Sequence, residues 1–219
     1  MRLHLGCGQR YLDGYVNVDY PQSERLFAAA RQPDRFADLS DLSFEAGSAD
    51  EVRLHHVFEH FTRPVACAFL VAWRTWLKPQ GRLRIEVPDF TTTALAMLNP
   101  LGGLHAECVG ARHLFGSNEA AWANHLEGWS GRRLTFILEQ LEYRVVKVRR
   151  DAWRGTYNLE VFAVRSSADL DLDVASRCVR EFLAMFLVDA SADEVAMLDE
   201  WMRQYDRQLA RSTGRDGAR

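Results

Sequence analysis

The 219-residue sequence has no CxxC pair, no apolar run of membrane-spanning length, no excess of one charge, and neither a GxxxxGK[ST] loop nor a complete GxGxxG loop. Each absence excludes something. Cys7, Cys67, Cys108 and Cys178 lie far apart in the chain. That spacing gives no disulfide framework and no zinc knuckle, and it fits a reducing compartment. Arg10 and Asp13 interrupt the stretch where a signal-peptide core would lie. Together with the missing spanning run, this predicts a cytoplasmic protein that does not enter a membrane. Lys and Arg total 27 against 30 Asp and Glu, a net charge of -3. A nucleic-acid binder usually carries a basic stripe, so nucleic acid is not an expected partner. The missing phosphate loops argue against a triphosphate or a dinucleotide and favour a ligand without phosphates.

What is present is an alternation of strand and helix periods. Apolar residues make up 47% of the chain, enough for a sizeable core. Strands are predicted at Arg2–Leu5, Tyr15–Asp19, Phe36–Leu39, Glu51–His55 and through RLRIEVP. Helices are predicted at Ser23–Gln32 and at Thr62–Leu77, the latter with Thr62 as cap and Pro64 in its first turn. KPQG reads as a turn between that helix and the next strand. Residues 91–128, rich in glycine, read as a helix followed by an irregular, substrate-capping excursion. Ser130 opens a helix over Arg132–Leu141, and Tyr143–Arg149 and Asn158–Val164 pair antiparallel. The expected fold is α/β: a Rossmann-like, doubly wound, mostly parallel sheet with an antiparallel C-terminal strand, over residues 1–166. A helical appendage follows at 167–211 and a disordered tail at 212–219. In the appendage, Val174, Cys178, Phe182 and Phe186 mark one stripe. Ser191 to Glu194 form a capping box, and Val195, Leu198, Met202, Tyr205 and Leu209 mark a second stripe. That stripe either packs on the domain or forms a homodimer face.

Gly6 and Gly8 follow the first strand, and Asp19 ends the second. Glycine permits positive φ and close backbone approach to a ligand. In open α/β sheets ligands lie beyond the carboxyl ends of the strands. A carboxylate ending the second strand is placed to take ribose hydroxyls, so the pair points to an adenosine-containing ligand.

Several motifs in order make the reading specific: LHLGCG, YVNVDY, ADLSDLSF, SADEVRLHHVFEHF, LKPQGRLRIEVPDF and NHLEGWS. On these, over roughly residues 3–165, the chain resembles the class I S-adenosylmethionine-dependent methyltransferases, in particular a type-11-like bacterial group. The resemblance implies S-adenosylmethionine as cofactor. It implies that Gly6, Cys7 and Gly8 cradle the amino-acid part and that Asp19 holds the ribose. Asp38 with Leu39 would face the adenine, and His55 and His56 would lie near the transferring methyl. Gln80 stands where the group commonly has glycine.

Methyl transfer to a hydroxyl needs a proton acceptor within reach. His56, Glu59, His60, Asp89 and His125 are candidates, and His125 is preferred, with Trp122 and Trp129 nearby to stack on a sugar or ring. His125 and His56 are therefore the expected catalytic residues, with no metal. The expected acceptor is a small-molecule or glycan hydroxyl. One alternative is a non-catalytic cofactor-binding scaffold. Another is a zinc hydrolase, because His56, Glu59 and His60 spell H-x-x-E-H. On a helix, the two histidines of that pattern would share a face.

Overall fold

The computed structural model describes residues 1–21 and 31–215. The helix predicted at Ser23–Gln32 lies almost wholly outside them. Seven strands form one sheet: β1 (Arg2–Leu5), β2 (Val16–Asp19), β3 (Arg35–Phe36), β4 (Ala49–His55), β5 (Leu77–Pro88), β6 (Tyr143–Trp153) and β7 (Thr156–Arg165). Their order is β3-β2-β1-β4-β5-β7-β6, with the first five parallel and β7 antiparallel to both its neighbours. The strand order reverses at β1/β4, the position where open α/β sheets bind ligands.

The two faces of this sheet differ in chemistry. Leu3, Leu5, Val18, Val52, Leu54, Leu83, Ile85 and Val87 are buried in the apolar core. The alternate positions, His4, Asn17, Glu51, His55, Glu86 and Glu160, are also buried, yet polar. Successive strand residues point to opposite faces, so this pattern gives one apolar and one polar face.

The apolar face is covered by α1 (Arg63–Trp76) and α4 (Gly131–Gln140). Ala66 to Trp73 of α1 are all inaccessible to solvent, so this helix is buried on every side. The C-terminal helices explain why. α5 (Leu172–Ala184) and α6 (Ala192–Ser212) pack outside α1 as a further layer. Trp76 Nε1 donates to Ser212 O (2.9 Å), and Gln208 Nε2 donates to Ser40 O (2.9 Å). Leu198, Tyr205 and Leu209 are buried by this docking. The middle and end of the second stripe thus pack on the chain's own α1, while Val195 at its start is exposed. No described helix is long and apolar enough to cross a membrane.

Several local expectations change. The third strand is Arg35–Phe36, and Leu39 falls in a short 3-10 turn capped by Asp38. KPQG is a bulge inside β5, where the pairing slips between Ala49↔Leu77 and Glu51↔Arg82, and Gln80 takes φ +63. Residues 103–115 form a regular helix: α2 (Phe90–Met97) and α3 (Gly103–Phe115) are both helical, and the irregular parts are the short link 98–102 and the stretch 116–130, which holds one 3-10 turn at Ala121–Ala123. Glycines at both ends of α3 had obscured its period. The buried face of α5 is Ala175, Val179, Phe182 and Leu183, one residue on from most of the predicted stripe, while Val174 is exposed. Ser191 makes no side-chain cap; Glu194 instead accepts from Val188 N (2.9 Å). Ser212 ends α6 fully buried, and residues 216–219 lie outside the described part.

Candidate active site at the carboxyl edge of the sheet

The turn after β1 is fixed from both sides. Gly6 and Gly8 have φ +67 and +56. A Cβ on Gly6 would stand 2.3 Å from Val57 Cγ2, so the loop and the segment after β4 meet only because this residue is glycine. Asp19 ends β2, 4% exposed, and its Oδ2 accepts from Gly8 N (2.9 Å) while Oδ1 accepts from Tyr20 N (2.9 Å). Cys7 Sγ is 3.7 Å from the same Oδ2, and Cys7 N donates to Val18 O (3.0 Å). The glycine turn and the strand-ending acid are therefore one unit. Asp38 caps the 3-10 turn through Ser40 N (2.8 Å), and Leu39 sends its side chain into the core.

A hydrogen-bond chain on the polar face holds this turn. Arg53 Nε donates to His55 Nε2 (3.0 Å), His55 Nδ1 pairs with His4 Nε2 (2.9 Å), and His4 Nδ1 pairs with Asn17 Oδ1 (3.1 Å). One tautomer set satisfies all three bonds: both imidazoles neutral, each with its proton on Nδ1. Burial accordingly lowers His4 to about 4, and burial with the Arg53 charge lowers His55 to about 3. Asn17 then grips the loop, accepting from Leu12 N and donating to Leu12 O, both at 2.9 Å. Both ring nitrogens of His55 are engaged by protein groups. Its imidazole belongs to the sheet's polar layer, with both nitrogens engaged at the end of β4.

Beyond the end of β4 lies a second histidine group. His56 has φ +51, a backbone state that costs energy outside glycine. Its Nδ1 lies 3.3 Å from Glu59 Oε1, and its Nε2 lies 3.6 Å from Glu86 Oε1. Burial opposes a charge on His56, but the two carboxylates outweigh burial and raise it to about 10. With a carboxylate facing each ring nitrogen, His56 favours the imidazolium, which has no lone pair to accept a proton.

Glu59 sits in a 3-10 turn, Phe58–His60, and is 1% exposed. Neither of its oxygens accepts a hydrogen bond. Its backbone carbonyl takes Leu126 N (2.8 Å) and Glu127 N (3.2 Å), and His125 N donates to Phe115 O (3.1 Å). These bonds bring His125 Nε2 to 3.9 Å from Glu59 Oε1. The His60 and His125 rings meet edge to face, with centroids 4.8 Å apart. Burial pushes the His125 imidazole below its ordinary value, so it is neutral near pH 7. Gly116 makes the approach possible, because a Cβ there would stand 2.1 Å from Ala123 O.

Other candidates fall away. Asp89 caps α2 and accepts from Arg150 Nε (2.9 Å). Trp129 is 1% exposed and stacks on Phe58 inside the core, so it cannot stack on an acceptor. Trp122 is half-buried. The H-x-x-E-H pattern is not formed on a helix: His56 follows directly on β4 and its ring neighbours His113, whereas His60 lies in the next turn and its ring meets His125. Sequence reading missed His4 and Asn17, whose roles depend on pairing between strands distant in sequence.

Residues 3–85 match the family model described as a methyltransferase domain. No protein in a search of curated proteins matches the chain. Among solved structures, a SAM-dependent methyltransferase from Methanosarcina mazei aligns with TM-score 0.52 at 15% identity, over 76% of this chain and 92% of the other. The 1,6-didemethyltoxoflavin-N1-methyltransferase of Burkholderia thailandensis, crystallised with 1,6-didemethyltoxoflavin and S-adenosylhomocysteine, aligns with TM-score 0.50 at 14% identity, over 75% and 70%. A chain from the Haloferax volcanii complex of the Trm112 methyltransferase activator with a methyltransferase aligns with TM-score 0.54 at 16% identity, over 77% and 83%. At these identities the likeness is one of fold. The methyltransferase-domain match spans the sheet from β1 into β5, and the strand order is that of the Rossmann-like methyltransferase fold.

Proposed function

We propose that the protein methylates a hydroxyl of a small-molecule or glycan acceptor. S-adenosylmethionine supplies an electrophilic methyl group when bound. Gly6, Cys7 and Gly8 cradle its amino-acid part, Asp19 holds the ribose, and Asp38 with the backbone of Leu39 meets the adenine. The residues fit this cofactor: a Cβ on Gly8 would meet no described atom within 4 Å, so the turn's outer side is open to a ligand. The backbone amides of Gly8 and Tyr20 orient Asp19 before anything binds, which reduces the ordering cost of binding.

The observation that carries the acceptor class is the neutral His125 beside buried Glu59, at the carboxyl end of β4. A proton acceptor matters for a hydroxyl nucleophile, and a positioned imidazole contributes roughly 10²–10⁴-fold. His125 takes the hydroxyl proton, Glu59 favours the resulting imidazolium, and His56 contributes a fixed positive charge near the developing oxyanion. Alignment of the two reactants along the edge supplies the rest.

The test is calorimetry with S-adenosylhomocysteine on the full chain and on Asp19→Ala. The native protein is expected to bind one equivalent, and the variant to bind at least about 10-fold more weakly, as for loss of hydrogen bonds to a charged group. Equal affinities would overturn the ribose assignment. Binding in the native chain, with no turnover of any hydroxyl acceptor in a broad panel, would favour the non-catalytic scaffold.

A further inference from the structure

The geometry points to a three-ligand site for a divalent transition-metal ion, formed by Glu59, His60 and His125. Ligand atoms of these three residues all lie within 4.8 Å of one another. Tetrahedral coordination at about 2 Å per bond needs donors within a similar radius of one centre. Two further observations separate this cluster from an incidental one.

The first is Glu59. A carboxylate 1% exposed, with neither oxygen accepting a well-formed hydrogen bond, has lost its water and is only partly compensated. His56 offsets part of the charge from 3.3 Å, but no hydrogen bond is made. A cation would supply what is missing.

The second is the His60 tautomer. Its Nδ1 lies 3.1 Å from the backbone carbonyl of Asn124. A carbonyl can only accept, so Nδ1 carries the proton and Nε2 carries the lone pair. Metal-ligating histidines are commonly fixed this way, the non-ligating nitrogen donating to a carbonyl or a carboxylate. The segment that supplies this carbonyl, Asn124 to Glu127, is pinned to Glu59 by its own backbone bonds. The three ligands are therefore held by one piece of local structure.

The other cluster of possible ligands, His55 with Glu86 and Glu160, does not qualify. The His55 nitrogens are both engaged, and Glu160 is paired with Arg84 and Arg149.

Two imidazoles and one carboxylate form a donor set typical of catalytic zinc, with one position left for a further oxygen. Resting on the hydroxyl reading above, that oxygen is the acceptor's own. A hydroxyl bound to the cation releases its proton to solvent more readily. The bound cation thus takes over from His125 the task of making the oxygen nucleophilic.

The test is titration of the metal-stripped full chain with Co²⁺, followed by visible absorption and by bound-metal analysis. One equivalent with the intense bands of a low-coordinate cobalt site is expected. Glu59→Gln and His60→Gln should each weaken binding by more than about 100-fold, beyond the 10–100-fold that outer-shell changes cost. Glu59→Gln is nearly isosteric and removes a buried charge, so it carries the test if the histidine variant fails to fold. Stoichiometric bands unchanged in Glu59→Gln, or no stoichiometric uptake by the native chain, overturn the site. S-adenosylhomocysteine binding, read separately, distinguishes the two failures: lost cofactor binding sinks the methyltransferase reading, and intact cofactor binding without cobalt sinks only the metal.

Discussion

One group of histidines is buried in the sheet and another is half-buried beyond its edge, and their hydrogen bonding sets them apart. In the sheet, His4 and His55 use every ring nitrogen: Arg53 donates to His55, His55 bonds to His4, and His4 bonds to Asn17. Beyond the sheet edge, His60 and His125 surround a carboxylate that accepts nothing. The first group is fully matched within the protein; the second is the one the proposals above make functional, because a buried polar group such as Glu59 left unmatched costs stability that folding by itself gives no reason to forgo.

The comparison can be broken at the sheet first, where the largest effect is expected. Asn17→Ala removes the acceptor for His4 and both bonds to Leu12, leaving several buried groups unpaired. A loss of about 2–4 kcal/mol in unfolding free energy is expected by urea denaturation. Weaker S-adenosylhomocysteine binding should accompany it, since Leu12 and Gly8 share one loop.

pH sharpens the same contrast. His4 and His55 are lowered to about 4 and about 3 from an ordinary 6.5, first by burial. Between about pH 6.5 and 4 the unfolded chain takes up protons that the folded chain refuses, so stability falls as pH drops. Thermal melting should show a steady decline in Tm through that window. In Asn17→Ala the slope should change, because the partner holding the His4 tautomer is gone.

The smallest effect belongs to a position in neither group. Gln80 holds φ +63 inside the β5 bulge, a state glycine adopts freely. Gln80→Gly should raise stability by about 1 kcal/mol while leaving cofactor and cobalt binding unaltered. A destabilised variant would mean that the Gln80 side chain contributes more than its backbone costs.

Much of the fold was legible beforehand. Two-residue alternation in RLHL, VNVD and EVRLH marks strands wherever it occurs. The unbroken apolar stretch ACAFLVAW marks a helix covered on all sides. Other features were not legible for definite reasons. α3 is flanked and interrupted by glycines, which mask a helical period that packing on α2 and β7 enforces. The predicted α5 stripe was displaced by one residue, because the direction from which Phe182 is covered depends on Trp129 and Phe136 arriving from elsewhere in the chain. Ser191 had the pattern of a capping box, yet Glu194 found Val188 N instead.

By itself, the sequence determined the order of strands and helices, the glycine turn, and the acid that ends the second strand, because these follow from local periodicity and from residues a few positions apart. Only the tertiary structure decided which histidines are spent and which retain a lone pair. That depends on Asn17 lying beside His4, Glu86 beside His55, and Asn124 beside His60, neighbours made by strand pairing and by a long excursion returning to the sheet edge. Protonation follows from such partners, and local patterning carries no information about them.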